Sequence, residues 1–248
     1  MALTRIFVDK ALAPGADIQL DRDQAHYVGR VLRLRAGDTL NVFNGNDGEF
    51  NTSVQSLAKD SALLRIDSPV DVTTESPLKV HLVQSISRGE RMDFVIQKAT
   101  ELGVKRITPV FTEYGVVKLD ESRARKRRDH WQSVATSACE QSGRIRPPLV
   151  DAPVDLNAWF SGGAKETDTD LILQPGAPAP LSSIASPGAK VCLLIGPEGG
   201  FSDTEYEDAD ATGFNAVSLG PRVLRTETAA LTAIAVAQAL WGDLRVSG

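Results

Sequence analysis

Cysteine is nearly absent from this chain: 248 residues contain only Cys139 and Cys192, far apart in sequence. A disulfide framework and a thiolate metal site are both excluded, and both thiols are expected to be buried and inert. A reducing cytoplasm is the expected compartment. Histidine is almost as scarce, with three residues. His26, His81 and His130 share no metal-ligand spacing, so no metal is expected. His81 stands in an apolar run and reads as a core histidine, whereas His130 follows a basic cluster and reads as exposed. No stretch approaches the roughly 18 apolar residues of a membrane span, so no membrane is expected. The opening Met1-Ala2-Leu3-Thr4-Arg5 runs straight into strand-like Ile6-Phe7-Val8, without the apolar stretch or cleavage site of a signal peptide. The Gly-x-x-x-x-Gly-Lys-Ser/Thr loop is missing, which disfavours a P-loop nucleotide site.

What is present suits a globular protein. Hydrophobic residues make up 42% and charged residues 24% of the chain, and the length suits one large domain or two small ones. Taken alone, the net charge of −5 argues against a nucleic-acid partner, but the distribution is uneven. Residues 1–76 carry −3, residues 77–146 carry +6 and residues 147–248 carry −8. A local positive patch binds phosphates even on an acidic protein; a solvated helix face is the other reading of the same charges.

The first 74 residues read as a small β domain. Strands are expected at 6–8, 39–43, 50–54 and 62–66, with Asn44-Gly45-Asn46-Asp47-Gly48 as a turn. A short helix is expected to begin near Asp23. Arg30, Arg33 and Arg35 then interleave with apolar residues, as a solvated face or as phosphate contacts. Residues 68–77, with Pro69 and Pro77, read as a linker. From 75 to 248, strands at 78–86, 106–111, 171–174, 191–195 and 215–219 alternate with helices at 92–102, 122–142, 202–212 and 226–240. Ser202 followed by Glu205 is a capping-box pattern. Such alternation predicts a parallel α/β sheet with helices on both faces.

Two loops carry the candidate chemistry, Ile195-Gly196-Pro197-Glu198-Gly199-Gly200-Phe201-Ser202 and Leu219-Gly220-Pro221-Arg222-Val223-Leu224-Arg225-Thr226-Glu227-Thr228. Each joins a strand to a helix, and ligands of open α/β sheets bind beyond the carboxyl ends of the strands. Glycines there let the backbone approach a ligand, and free N–H groups at helix starts meet acceptor atoms. The spacing does not fit Gly-x-Gly-x-x-Gly.

These loops, with Ser87-Arg88-Gly89-Glu90-Arg91-Met92, residues 97–104 and Ala138-Cys139-Glu140-Gln141-Ser142-Gly143-Arg144, closely resemble the ribosomal RNA small subunit methyltransferase E family, and the resemblance covers essentially the whole chain. It implies a SPOUT-type α/β fold: a parallel-sheet domain with a C-terminal trefoil knot, over 75–248, behind a PUA-like β-barrel RNA-binding domain over 1–74. It also implies a homodimer, 16S ribosomal RNA or the small ribosomal subunit as partner, and transfer from S-adenosyl-L-methionine to N3 of a uridine.

Under that resemblance the donor site comprises Leu173 and Gln174, residues Ile195 to Gly200, and Leu219, Gly220, Arg222, Leu224, Arg225, Thr226, Thr228 and Ala229. Ile195, Leu219 and Leu224 suit a flat adenine ring. Arg225 is expected to stabilise charge on the uridine oxygens, or to pair with Glu227 or Glu198. Glu198 is the first choice of base, or an acceptor that shapes its loop. Glu140 is a second choice, or orients Arg144. Arg222 is expected to meet a phosphate or the donor carboxylate. RNA contacts are expected from Arg30, Arg33, Arg88, Arg91, Arg125, Arg128 and Arg144, and His26 is a further contact on the β domain. The competing readings are a non-catalytic RNA-binding ribosome-assembly factor and an enzyme acting on a small molecule.

Overall fold

The computed structural model describes residues 4–71, 74–162, 167–185 and 188–244. Residues 1–3 of the opening segment, 72–73 of the expected linker, 163–166 and 186–187 of the loops flanking the third expected strand of the α/β region, and 245–248 after the last expected helix lie outside the described residues. The chain forms two compact units. One contains Met1–Glu75 and Cys139–Arg146; the other contains Ser76–Ala138 and Pro147–Gly248.

The first unit is built on strands β1 (Arg5–Phe7), β2 (Asp17–Leu20), β3 (Thr39–Phe43), β4 (Glu49–Leu57) and β5 (Ala62–Val70), with the short helix α1 (Arg22–His26) after β2. The sheet order is β1-β3-β4-β5-β2, and β1 alone runs parallel to its neighbour. Among the described residues no ladder joins β1 to β2, so the expected barrel is an open sheet. Its edge strands, of three and four residues, each pair with one neighbour. Period-2 patterning places Leu40, Val42, Val54, Leu64 and Ile66 in one core.

Two expectations change here. The strand predicted to end at Ile66 continues to Val70, because Ser68 and Pro69 pair with Asn51 and Phe50 of β4. Pro69 is tolerated there because β2 reaches only as far as Arg65, which leaves β5 an edge at that point. The helix near Asp23 is also interrupted: after α1 the chain makes a π-helical turn over Tyr27–Val31. Strand β2 was not expected from the sequence.

Arg5 ties this unit together. Its guanidinium makes two hydrogen bonds to the Glu49 carboxylate, at 2.9 and 2.6 Å, and donates to the carbonyls of Cys139, Glu140 and Arg144. Arg144 is itself only 2% exposed and is held by Glu75.

The second unit contains strands β6 (Lys79–Ser85), β7 (Arg106–Phe111), β8 (Leu149–Val150), β9 (Val154–Asp155), β10 (Thr169–Leu173), β11 (Lys190–Ile195) and β12 (Asn215–Val217). Its helices are α2 (Glu90–Glu101), most of α3 (Glu121–Ser142), α4 (Leu156–Ser161), α5 (Asp203–Ala211) and α6 (Thr226–Trp241). Strand order is β12-β10-β11-β6-β7-β8, with β9 also on β7, and every pairing is parallel.

Both faces are covered, as a parallel sheet requires. Along β11, Val191, Leu193 and Ile195 enter the core shared with Val95 and Ile96 of α2 and Ala233 and Ile234 of α6. The alternate residues Cys192 and Leu194 pack with Leu156 of α4 and Ala209 of α5. Ser202 caps α5 in the capping box that its spacing from Glu205 predicts. The short elements β8, β9 and α4 were not expected, because two to six residues carry too little periodicity to read.

Candidate active site

The carboxyl ends of β10, β11 and β12 converge on one cavity of about 250 Å³. The β11–α5 loop supplies Ile195, Gly196, Pro197, Glu198, Gly199 and Gly200, and the β12–α6 loop supplies Leu219, Gly220, Arg222, Leu224, Thr226 and Ala229. Leu173 and Gln174 come from the end of β10. Fourteen of the sixteen expected donor residues therefore share its wall. Arg225 and Thr228 do not line it, and both side chains are exposed. Pro175, Phe201, Tyr206, Val217 and Val223 also line it. The sequence signal for Phe201 and Tyr206 was available: Phe201 belongs to the first loop, and Tyr206 follows in the first half of α5.

The loop shapes follow from local constraints. Gly200 has φ +76°, a left-handed conformation that glycine adopts without steric cost. A Cβ on Gly196 would lie 3.0 Å from the Phe201 ring, so any other residue there would push the ring back by a few tenths of an ångström. Between the loops runs a buried relay. The Thr226 hydroxyl donates to the Gly196 carbonyl at 2.6 Å and accepts from Gln84 Nε2 at 2.9 Å. Gln84 is fully buried at the end of β6, and its Oε1 is without a hydrogen-bond partner.

Leu173, Ile195, Leu219 and Leu224 give the cavity an apolar face, and α6 begins beside it with no side-chain cap on its first N–H groups. Acceptor atoms of a ligand therefore have donors within the same loop. Glu198 is the acid on the cavity wall. Its partner is Arg91, at 2.8 Å, and not Arg225. Arg225, the N-cap residue of α6, makes no ion pair among the described residues. Glu227 likewise has a buried carboxylate oxygen without a partner, so neither expected pairing with Arg225 forms.

Other expected residues are scattered. Arg30 and Arg33 are exposed on the first unit, beside the half-exposed Tyr27 and the exposed Val31. Arg33 has φ +57°, which no other described non-glycine residue shows with a positive sign. Arg88 and Arg91 lie at the start of α2, and Arg88 is exposed. On α3, Arg125 pairs with Glu121, while Arg128 pairs with Asp129 and donates to the Val150 carbonyl. Arg144 is a correction: its burial and its bond to Glu75 leave no exposed guanidinium for RNA. Glu140 does not orient it. Glu140 accepts from the Phe7 N–H, and burial holds its carboxyl above the usual carboxylate range.

His130 meets Asp93 at 2.7 Å. His81 bonds Thr108 at 2.7 Å, and burial lowers its pKa to about 4, with Arg106 adding to the shift. Among the described residues no group of three or more His, Cys, Asp or Glu is placed to hold a metal ion, and no helix is long and apolar enough to cross a membrane.

A family model described as an RNA methyltransferase domain matches residues 74–238, and one described as an RNA methyltransferase PUA domain matches residues 20–67. The fold and its site thus define an RNA methyltransferase with a PUA domain. A Buchnera aphidicola ribosomal RNA small subunit methyltransferase E is 36% identical over 98% of both chains, and the Bacillus subtilis protein of that name is 30% identical over 86% of both. A Neisseria gonorrhoeae structure of the same name, bound to S-adenosyl methionine, superposes with a TM-score of 0.91 at 37% identity, covering 98% of this chain and 100% of that one. A Legionella pneumophila methyltransferase in complex with the same cofactor gives 0.92 at 42%, with the same coverage. The chain belongs to the ribosomal RNA small subunit methyltransferase E family.

Proposed function

We propose that this protein transfers a methyl group from S-adenosyl-L-methionine to N3 of a uridine in 16S ribosomal RNA, in the cytoplasm, as a homodimer. The observation that carries the reading is the single cavity built by the two glycine-rich loops, in a chain similar throughout to proteins solved with that cofactor. The PUA-like domain is assigned to residues 1–74 and the transferase domain to residues 75–248. A knotted C-terminal region is part of the proposal. It rests on the family resemblance of the two C-terminal loops.

The donor, when bound, supplies an activated methyl group. Ile195, Leu219 and Leu224 hold its ring, and the Thr226–Gly196 bond keeps the two loops in register. Uridine N3 carries a proton and is a weak nucleophile. Glu198 is the acid at the cavity wall and the base in this scheme. Arg225, exposed at the head of α6, stabilises negative charge on the uridine oxygens. RNA is held on the first unit by Arg30 and Arg33, beside Tyr27 for stacking, and on the second unit by Arg88, Arg91, Arg125 and Arg128.

The test is incubation of the protein with radiolabelled donor and small subunits lacking the modification, followed by nucleoside mapping. Label in 3-methyluridine is expected, and Arg225→Ala should slow transfer about 100- to 1,000-fold with donor affinity retained. Donor binding without label in that nucleoside would mean a different target. No donor binding at all would favour a non-catalytic assembly factor.

A further inference from the structure

We propose that the recess bounded by Arg88, Gly89, Arg91, Val116 and Glu198 receives the backbone phosphate of the acceptor nucleotide, and that the Arg91–Glu198 pair is a latch opened by that phosphate. The inference deepens the methyl-transfer reading and rests on it for the identity of the polymer.

The recess measures about 410 Å³, within the range of roughly 300–1,000 Å³ typical of ligand sites. Glu198 lines both this recess and the donor cavity, so one side chain forms the wall between them. On the far side stand two cations three residues apart, Arg88 just before α2 and Arg91 in its first turn. Arg88 is exposed and makes no ion pair among the described residues. Arg91 is committed to Glu198 at 2.8 Å, with the two side chains 48% and 38% exposed. Gly89 has φ +59°, and the position of its absent Cβ has no atom within 4 Å, so a ligand's backbone can pass close to it. Val116 supplies a half-exposed apolar surface.

An ion pair this exposed is weak, because water screens it and two long side chains lose freedom to form it. A phosphodiester offers Arg91 the bidentate geometry that guanidinium favours. The exchange therefore costs little and releases the Glu198 carboxylate at the edge of the donor cavity. The acid that faces the donor is thus neutralised by Arg91 in the free protein and freed where RNA occupies the recess.

The test is binding of labelled 16S ribosomal RNA to the full-length protein across a potassium chloride series. The variants are Arg88→Ala, Arg91→Ala, Glu198→Gln and the double variant Arg91→Ala/Glu198→Gln. Each arginine variant should bind more weakly and lower the log–log salt slope by about 0.7–0.9, the loss of one phosphate contact. Glu198→Gln should bind RNA roughly two- to fivefold more tightly, because the competing carboxylate is gone. That gain should vanish in the Arg91→Ala background, which separates release of Arg91 from a general loss of negative charge. Unchanged or weaker RNA binding by Glu198→Gln, a gain that survives without Arg91, or unchanged salt slopes would each overturn the latch. The readout is binding, so a wild-type protein that binds RNA without methylating it would sink the methyl-transfer reading while the latch stays measurable. Methyl transfer by the wild type with no tightening in Glu198→Gln would sink the latch alone.

Discussion

Replacing Thr226 with valine removes one oxygen and keeps the shape of the side chain. Thr226 is 3% exposed, so no solvent stands ready to take over its bonds. The Gly196 carbonyl loses its 2.6 Å donor, and Gln84 Nε2 loses one acceptor while keeping the Ser85 carbonyl at 3.1 Å. A buried group left unsatisfied costs about 1–3 kcal/mol, and a lost neutral bond about 1 kcal/mol, so Thr226→Val should lose about 2–4 kcal/mol. The loss falls on the contact that holds the two donor loops together. Donor affinity should therefore drop at least about tenfold, equivalent to roughly 1.4 kcal/mol. Urea denaturation reads the first quantity and titration calorimetry with S-adenosyl-L-methionine reads the second. Thr226→Ser keeps both bonds and should stay within about 1 kcal/mol of the parent, the usual worth of a small buried change. A valine variant with parental stability and donor affinity, or a serine variant as impaired as the valine one, would refute the relay.

Acid should weaken the α/β unit through His81. Its folded pKa of about 4 lies below the ordinary 6.5, so the unfolded chain takes up the proton first. The contribution is complete above pH 6.5 and is lost as the pH falls towards about 4, reaching about 3 kcal/mol at roughly 1.4 kcal/mol per unit. Denaturant titrations at several pH values should show that slope, and His81→Gln should flatten it. In the first unit, Arg5→Leu strands the Glu49 carboxylate, whose side chain is 3% exposed, with Asn41 as its remaining side-chain donor. A loss of about 3–5 kcal/mol in chemical denaturation is expected, and Arg5→Leu/Glu49→Leu should recover most of it.

Much of this protein is legible along the chain because its rules are local. Apolar runs bounded by turns mark β6, β10 and β11, and the Ser202–Glu205 spacing marks the start of α5. The two glycine-rich segments stand out because a strand, a turn and a helix follow one another within a few residues. Those segments, with the family resemblance they carry, were enough to pick twelve wall residues of the cavity, and the end of β10 added Leu173 and Gln174. Side-chain direction was not legible. Arg225 and Thr228 belong to the same loop as Thr226, yet both point away from the wall, because the first turn of a helix sends neighbouring residues to different sides.

Partnerships between distant residues were also hidden. Arg144 reads as a surface cation along the chain, but Glu75, 69 residues away, holds it buried. Glu198, one of two candidate partners for Arg225 in the adjoining loop, pairs instead with Arg91, 107 residues away. Strand order is of the same kind: β11 lies beside β6, and β10 separates β11 from β12, which no local pattern encodes. The sequence by itself determined where the longer strands and helices and the ligand loops fall, since hydrophobic period, caps and turns act over a few residues. The tertiary structure alone decided which charges pair, which face the cavity and which are buried, since those depend on contacts made only when distant segments pack.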